Sequence, residues 1–202
     1  MSISTDSTID TQPLLLNVSG ITLTIDAEQY YALNADNQDL RLELTAMGQL
    51  YFKPLFVYGI SRHVGDLMME VSLWNRQAKL GTVFGSSMGY DFREIGGGIM
   101  NPDLTWIAKS RTKGISGDIF YPVAPNFVLE YIPSKDRLLA WQERMVEYQR
   151  LGVRLGLLVD VWDKQVEIYR IGQEPEILES PTAIDCSEVM PGFIFSMDRI
   201  FS

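Results

Sequence analysis

Hydrophobic residues recur every three or four positions in two stretches of the chain, which is the spacing of an amphipathic helix. In residues 64–78 they fall at Val64, Leu67, Met68, Val71 and Trp74, and Trp74 is expected to lie in the core. In residues 135–151 they fall at Leu138, Trp141, Met145 and Tyr148. Ser134 is the candidate N-cap of this second helix and Gly152 the residue that ends it. A shorter helix is predicted in residues 24–31, which offer an N-cap, early acids and an apolar stripe.

Alternating polar and apolar residues predict strands in much of the remaining chain. The predicted strands are residues 40–46, 49–52, 82–92, 100–108, 127–132, 155–161 and 165–170. Turns at residues 47–48, 96–98 and 162–164 should join six of them into hairpins. An apolar patch at residues 193–195 is expected to pack back on the sheet.

Because helices and strands interleave, the sequence predicts a single α/β domain over residues 20–202. Residues 1–19 are rich in Ser, Thr and Asp and are expected to form a mobile N-terminal tail. They lack the basic start and apolar core of a secretory signal. No stretch reaches the roughly 20 uninterrupted apolar residues of a membrane span. A cytoplasmic protein with no membrane partner is therefore expected.

The supply of cysteine and histidine excludes several kinds of site. Cys186 is the single cysteine, so no internal disulfide can form, and His63 is the single histidine. Together they cannot supply a zinc site built from Cys and His ligands. A lone histidine also argues against His-dependent nuclease motifs and a Ser-His-Asp triad.

The charge of the chain is unfavourable for binding nucleic acid. There are 26 acidic and 17 basic residues, a formal net charge of −9. Affinity for duplex DNA comes mostly from Lys and Arg that neutralise phosphates, so basic residues would have to gather on one face. One candidate is residues 109–113, Lys-Ser-Arg-Thr-Lys, although such runs are also common in solvated turns.

Two carboxylates lie in segments that otherwise have the pattern of buried strands. Asp103 belongs to Asn-Pro-Asp-Leu-Thr-Trp-Ile, and Glu130 to Phe-Val-Leu-Glu-Tyr-Ile. An ionised carboxylate is destabilising in such a place unless a partner compensates for its charge. Two of them on neighbouring strands could share a divalent cation, which could polarise a phosphate and activate a water.

Several short segments follow one another in an order that resembles the Uma2 family of restriction endonucleases, within the PD-(D/E)xK superfamily. They span almost the whole predicted domain and comprise residues 41–44, 48–50, 74–77, 85–90, 101–107, 124–130, 145–148, 152–155 and 158–160. The resemblance implies a restriction-endonuclease-like α/β core, with a central mixed β-sheet flanked by helices. It also implies a phosphodiesterase that depends on Mg²⁺ or Mn²⁺ and acts on nucleic acid, with DNA favoured over RNA.

Carried over by the resemblance, Asp103 and Glu130 match the metal-binding acids of the family, and Glu43 matches a further acid near the site. Ile132 stands where the superfamily motif has lysine, on the same strand face as Glu130. Family members commonly place a lysine on the following helix instead, and the corresponding residue here is Arg144. An arginine can contact phosphate, but it stays protonated and cannot act as a base.

The sequence therefore leaves two functions open. In the first, Glu43, Asp103 and Glu130 hold Mg²⁺ in an endonuclease, and Arg144 replaces the helix lysine. In the second, Arg144 pairs with one of the acids, and the protein is a catalytically inactive nuclease-fold protein that acts by binding. A homodimer is expected on weaker grounds, since restriction-type nucleases pair two sites to cut both strands.

Overall fold

The computed structural model describes residues 22–53, 58–114, 120–132 and 134–201. The predicted tail over residues 1–19 lies outside these ranges. The helices are α1 (Ala27–Asp36), α2 (Tyr58–Ala78), α3 (Lys109–Thr112), α4 (Leu138–Arg150) and α5 (Asp198–Phe201). The strands are β1 (Leu42–Leu44), β2 (Leu50–Phe52), β3 (Gly81–Gly85), β4 (Tyr90–Asp91), β5 (Ile99–Met100), β6 (Leu104–Ala108), β7 (Phe127–Tyr131), β8 (Leu155–Asp160), β9 (Gln165–Arg170), β10 (Glu176–Glu179), β11 (Ala183–Asp185) and β12 (Ile194–Ser196).

A six-stranded mixed sheet with the order β10-β9-β8-β7-β6-β3 forms the centre of the protein. All neighbours in this sheet are antiparallel except β7 and β8, which are parallel and place Glu130 opposite Leu158. Two parallel strands need a crossover connection, and α4 provides it. The predicted α/β fold with a central mixed sheet flanked by helices is confirmed.

The two faces of β7 contact different hydrophobic clusters, as strand alternation requires. Leu129 and Tyr131 belong to the cluster that includes buried residues of α2 and of the C-terminal segment. Val128 and Ile132 belong to the cluster that includes buried residues of α4. Glu130, between Val128 and Ile132 in sequence, is therefore directed to the α4 side.

The predicted long strands 82–92 and 100–108 are each divided between two sheets. Their outer parts, β3 and β6, pair in the central sheet, whereas β4 and β5 pair in a four-stranded sheet with the order β2-β1-β5-β4. Pro102, which has no N–H to donate to a ladder, lies between β5 and β6. The junction of the two sheets therefore falls at Asn101-Pro102-Asp103, so that Asp103 comes directly before β6.

Most of the other predicted elements are present, with shifted ends. Both tight hairpins form, as β1–β2 and β8–β9. Helix α1 begins at Ala27, with Asp26 as its N-cap in a capping box with Gln29. Ser134 makes no side-chain capping bond, and a 3-10 turn over Lys135–Arg137 separates it from α4. Strands β10 to β12 and helices α3 and α5 were not predicted.

The core contains most of the residues predicted for it. Trp141, Met145 and Tyr148 of α4 are buried, and Phe193 and Phe195 pack against the central sheet as expected. Trp74 is only partly buried, with its ring against Trp106 and Phe193. No helix in the described ranges is long and apolar enough to cross a membrane.

Candidate functional site

The four residues predicted for the site come together at the junction of the two sheets. Glu43 projects from β1, Asp103 precedes β6, Glu130 lies in β7 and Arg144 in α4. Two more basic side chains join them from the open end of the β1–β2 hairpin. Arg41 directly precedes β1, and Lys53 directly follows β2. The ion-pair cluster, as we call it, is formed by Arg41, Glu43, Lys53, Asp103, Glu130 and Arg144.

The ammonium group of Lys53 bridges the two acids that the sequence singled out. Its Nζ lies 2.9 Å from Asp103 Oδ1 and 2.7 Å from Glu130 Oε2, and it also donates to the Asn101 carbonyl oxygen at 2.8 Å. The Lys53 side chain is 1% exposed, and the Asp103 and Glu130 side chains are fully buried. The ammonium therefore donates hydrogen bonds to Glu130 and Asn101 and forms an ion pair with Asp103.

Lys53 was not predicted from the sequence, although a local signal points to it. The β1–β2 register pairs Leu42 with Phe52, and the Lys53 N–H donates to the Arg41 carbonyl oxygen. A correct hairpin register therefore predicts that Arg41 and Lys53 lie side by side at the open end of the hairpin. It does not predict which acids they meet, because these come from strands distant in sequence.

Arg144 holds Glu130 and the third acid, Glu43, together. Its Nη1 lies 2.6 Å from Glu43 Oε2, and its Nη2 lies 2.6 Å from Glu43 Oε1. Its Nε lies 2.7 Å from Glu130 Oε1. Tyr148, one helical turn further along α4, donates its hydroxyl to the same Glu130 oxygen at 2.9 Å. This forked pairing needs the planar guanidinium, and a lysine at this position could not reproduce it.

Every carboxylate oxygen of the cluster already accepts a hydrogen bond. Asp103 Oδ1 also receives Arg41 Nη2 at 3.0 Å, and Asp103 Oδ2 receives the Tyr131 N–H at 3.0 Å. Glu43 Oε1 receives the Asn101 N–H at 2.6 Å in addition to Arg144. Three carboxylates face three cationic side chains, so the cluster is formally neutral when all six are ionised.

The pKa values of Asp103 and Glu130 are shifted in opposite directions. Burial would raise the pKa of Glu130, but the charges of Arg144 and Lys53 outweigh burial and hold that pKa well below its usual value. Burial and the adjacent Glu130 carboxylate raise the pKa of Asp103 to about 6, against the opposing charges of Lys53 and Arg41. Asp103 is therefore the member of this coupled pair that takes up a proton first as pH falls.

Arg144 cannot act as a base in this setting. Burial lowers its pKa, but Glu130 and Glu43 outweigh burial and raise the pKa well above its ordinary value. Its guanidinium carbon also lies 5.3 Å from the centre of the Tyr148 ring, a cation–π distance. The guanidinium is thus a fixed positive charge that holds Glu43 and Glu130 in place.

The arrangement does not suit a divalent metal ion. Mg²⁺ binds oxygen ligands and usually keeps several waters, whereas the side chains of the three acids are at most 4% exposed and their oxygens are engaged. In the described ranges, no group of three or more His, Cys, Asp or Glu side chains could hold an ion. Asn101 Oδ1 is a buried oxygen with no hydrogen-bond partner in the described ranges, but one amide oxygen does not form a metal site. Metal binding by Glu43, Asp103 and Glu130 stays a prediction, and their present partners count against it.

A cleft of about 520 Å³ reaches the outer side of the ion-pair cluster. Glu43 and Arg144 line it together with Tyr51, Trp141 and Met47. Asp103, Glu130 and Lys53 are not among its lining residues. A molecule in the cleft would therefore meet the Glu43–Arg144 pair before the acid pair behind it.

The family model for Uma2, with the description "Putative restriction endonuclease", matches residues 27–198. The chain belongs to the Uma2 family. Among solved structures, it is similar to a putative nuclease belonging to DUF820 from Anabaena variabilis, with a TM-score of 0.68 at 19% identity. That match covers 79% of this chain and 89% of that chain and supports the fold alone. No curated protein sequence matches the chain.

Removal of the bridging ammonium should strongly destabilise this Uma2 protein. We expect Lys53→Ala to lower the free energy of unfolding by about 3–5 kcal/mol, because it leaves buried carboxylates with too little compensating charge. Urea denaturation followed by circular dichroism measures this change.

The matched control is Lys135→Ala, which removes an exposed lysine paired with Asp163. This change should cost about 0–1 kcal/mol, as is usual for surface ion pairs. Equal effects of the two substitutions would contradict the role assigned to Lys53.

Proposed function

We propose that this protein is a restriction-endonuclease-like protein directed at nucleic acid, in which metal-dependent hydrolysis is weak or absent. The observation that carries this proposal is the complete pairing of the three acids with Arg41, Lys53 and Arg144. A hydrolytic centre of this superfamily needs acid oxygens open to an ion and to substrate. In this protein the acid oxygens contact the positively charged side chains of Arg41, Lys53 and Arg144 instead.

Membership of a restriction endonuclease family supports nucleic acid as the partner, with DNA favoured over RNA. The basic segment over residues 109–113, in which Lys109 and Lys113 are exposed and Arg111 is half-buried, supports it as well. This segment begins directly after β6, the strand that follows Asp103, and Lys109–Thr112 forms the short helix α3. Its three positive charges could contact the phosphate backbone in spite of the acidic net charge.

The second candidate function is an active endonuclease in which Lys53 takes the role of the motif lysine. The contact of Lys53 Nζ with Glu130 Oε2 at 2.7 Å favours it, because the superfamily lysine stands beside this glutamate. In that function the ammonium would stabilise the charge that develops on the phosphate. It would first have to leave its three buried oxygen partners, which is why we place this function second.

Plasmid cleavage separates the two functions. We expect the unaltered protein to nick supercoiled plasmid in Mg²⁺ or Mn²⁺ no faster than Asp103→Ala does. The acid oxygens are already paired, and Ile132 replaces the motif lysine. Loss of one well-placed electrostatic group of this kind typically lowers the rate by about 10²–10³. Efficient cleavage by the unaltered protein would contradict our proposal. Its loss in Asp103→Ala and Lys53→Met variants that circular dichroism shows to be folded would establish the second function.

Binding tests the choice of partner. We expect fluorescence anisotropy to show that the protein binds duplex DNA with a salt-dependent affinity. Replacing Lys109 and Arg111 by Ala should weaken binding and reduce the slope of log affinity against log salt by about 1 for each phosphate that is no longer neutralised.

The charge-matched control for binding replaces Arg62 and Lys135, two exposed basic residues elsewhere on the surface. This control variant should bind like the unaltered protein. If both double variants bind alike, the basic segment is not the nucleic-acid surface. If the unaltered protein does not bind duplex DNA at all, nucleic acid is the wrong partner.

A further inference from the structure

We infer that the Lys53 ammonium occupies a cation site within this protein and takes the place of a divalent ion, so that its removal creates a metal-binding site. This inference rests on the proposed closed centre and deepens it, because it names the group that closes the centre. It concerns Lys53 and not Arg144, since Lys53 contacts both Asp103 and Glu130, whereas Arg144 contacts Glu130 and Glu43.

The chemistry around Lys53 Nζ is that of a site for a hard cation. Its three partners are two carboxylate oxygens and one backbone carbonyl oxygen, from Asp103, Glu130 and Asn101, at 2.7–2.9 Å. Carboxylate and carbonyl oxygens are the ligands that Mg²⁺, Ca²⁺ and Mn²⁺ take in proteins. The three oxygens come from β7 and the β5–β6 junction, and the two carboxylates have further partners besides Lys53. These are Arg41 and the Tyr131 N–H for Asp103, and Arg144 and Tyr148 for Glu130.

The charges of the cluster determine what happens when the ammonium is removed. With Lys53 present, three cationic side chains balance three acids. Without Lys53, Arg41 and Arg144 remain against Glu43, Asp103 and Glu130, and one negative charge is uncompensated. A buried excess charge of this kind is strongly destabilising, so binding of a cation to the three oxygens would be favoured.

Lys53→Met is the substitution that exposes the site with the least other change. Methionine is unbranched, apolar and one atom shorter than lysine, so it keeps the packing of the stem and leaves the position of Nζ open. It does not touch Arg41 or Arg144. The control Lys135→Met makes the same chemical change at an exposed lysine.

The experiment is a titration with Mn²⁺, followed by thermal unfolding and by calorimetry. We expect Mn²⁺ at millimolar concentration to raise the melting temperature of Lys53→Met by several degrees, because an ion that binds only the folded state stabilises it. The unaltered protein and Lys135→Met should show no shift. Adding Asp103→Asn to Lys53→Met should abolish the shift, because it replaces one of the two carboxylates of the site with a neutral amide.

Each outcome decides the inference. If Lys53→Met is unfolded in metal-free buffer, the readout becomes recovery of its far-ultraviolet circular dichroism on addition of Mn²⁺, and no recovery overturns the inference. A folded Lys53→Met with no Mn²⁺ response also overturns it. So does a shift in the unaltered protein as large as that in Lys53→Met, because the ion would then bind without displacing any competing group.

This readout is independent of cleavage. Failure of Lys53→Met to bind Mn²⁺ refutes the cation-site inference but leaves a non-cleaving protein intact. Conversely, plasmid cleavage by the unaltered protein refutes the proposed function, whatever the metal response of Lys53→Met.

Discussion

The ammonium of Lys53, held between Asp103 and Glu130, is the interaction on which the centre of this protein depends. Both carboxylates are fully buried, and neither could remain ionised there without a positive charge in contact. Lys53 lies 77 residues before Glu130, so this one contact joins the β1–β2 hairpin to the middle of the central sheet. The two sheets are thus connected at their junction by buried ion pairs as well as by packing.

The other members of the ion-pair cluster add further contacts between the hairpin, the central sheet and α4. Arg41 supports Asp103 from the same hairpin, and Arg144 ties Glu43 and Glu130 to α4. Buried ion pairs often add little net stability compared with well-packed apolar residues, but removal of one partner is strongly destabilising. The cluster is therefore best understood as a device that fixes the relative positions of the hairpin, the sheet and α4. The same pairing that fixes them also occupies the oxygens that a hydrolytic metal would need.

Part of this site could be predicted from the sequence, because it depends on local periodicity. Strand alternation correctly separates Glu130 and Ile132 from Leu129 and Tyr131, and helical spacing places Arg144 near buried Trp141 and Tyr148. Lys53 could not be assigned in this way, since its partners Asp103 and Glu130 are far away in the chain. The division of residues 82–108 between two sheets was missed, although Pro102 marks the break between β5 and β6. Nothing in the sequence indicates that β5 pairs with β1, at Ile99 and Leu44, because these strands are far apart in the chain.

The most direct test of this account is a crystal structure of the unaltered protein grown with Mn²⁺, with anomalous scattering used to locate manganese. The account predicts no manganese between Asp103 and Glu130, and Lys53 Nζ in contact with both carboxylates. A manganese peak within bonding distance of Asp103 and Glu130, with Lys53 turned away, would contradict it.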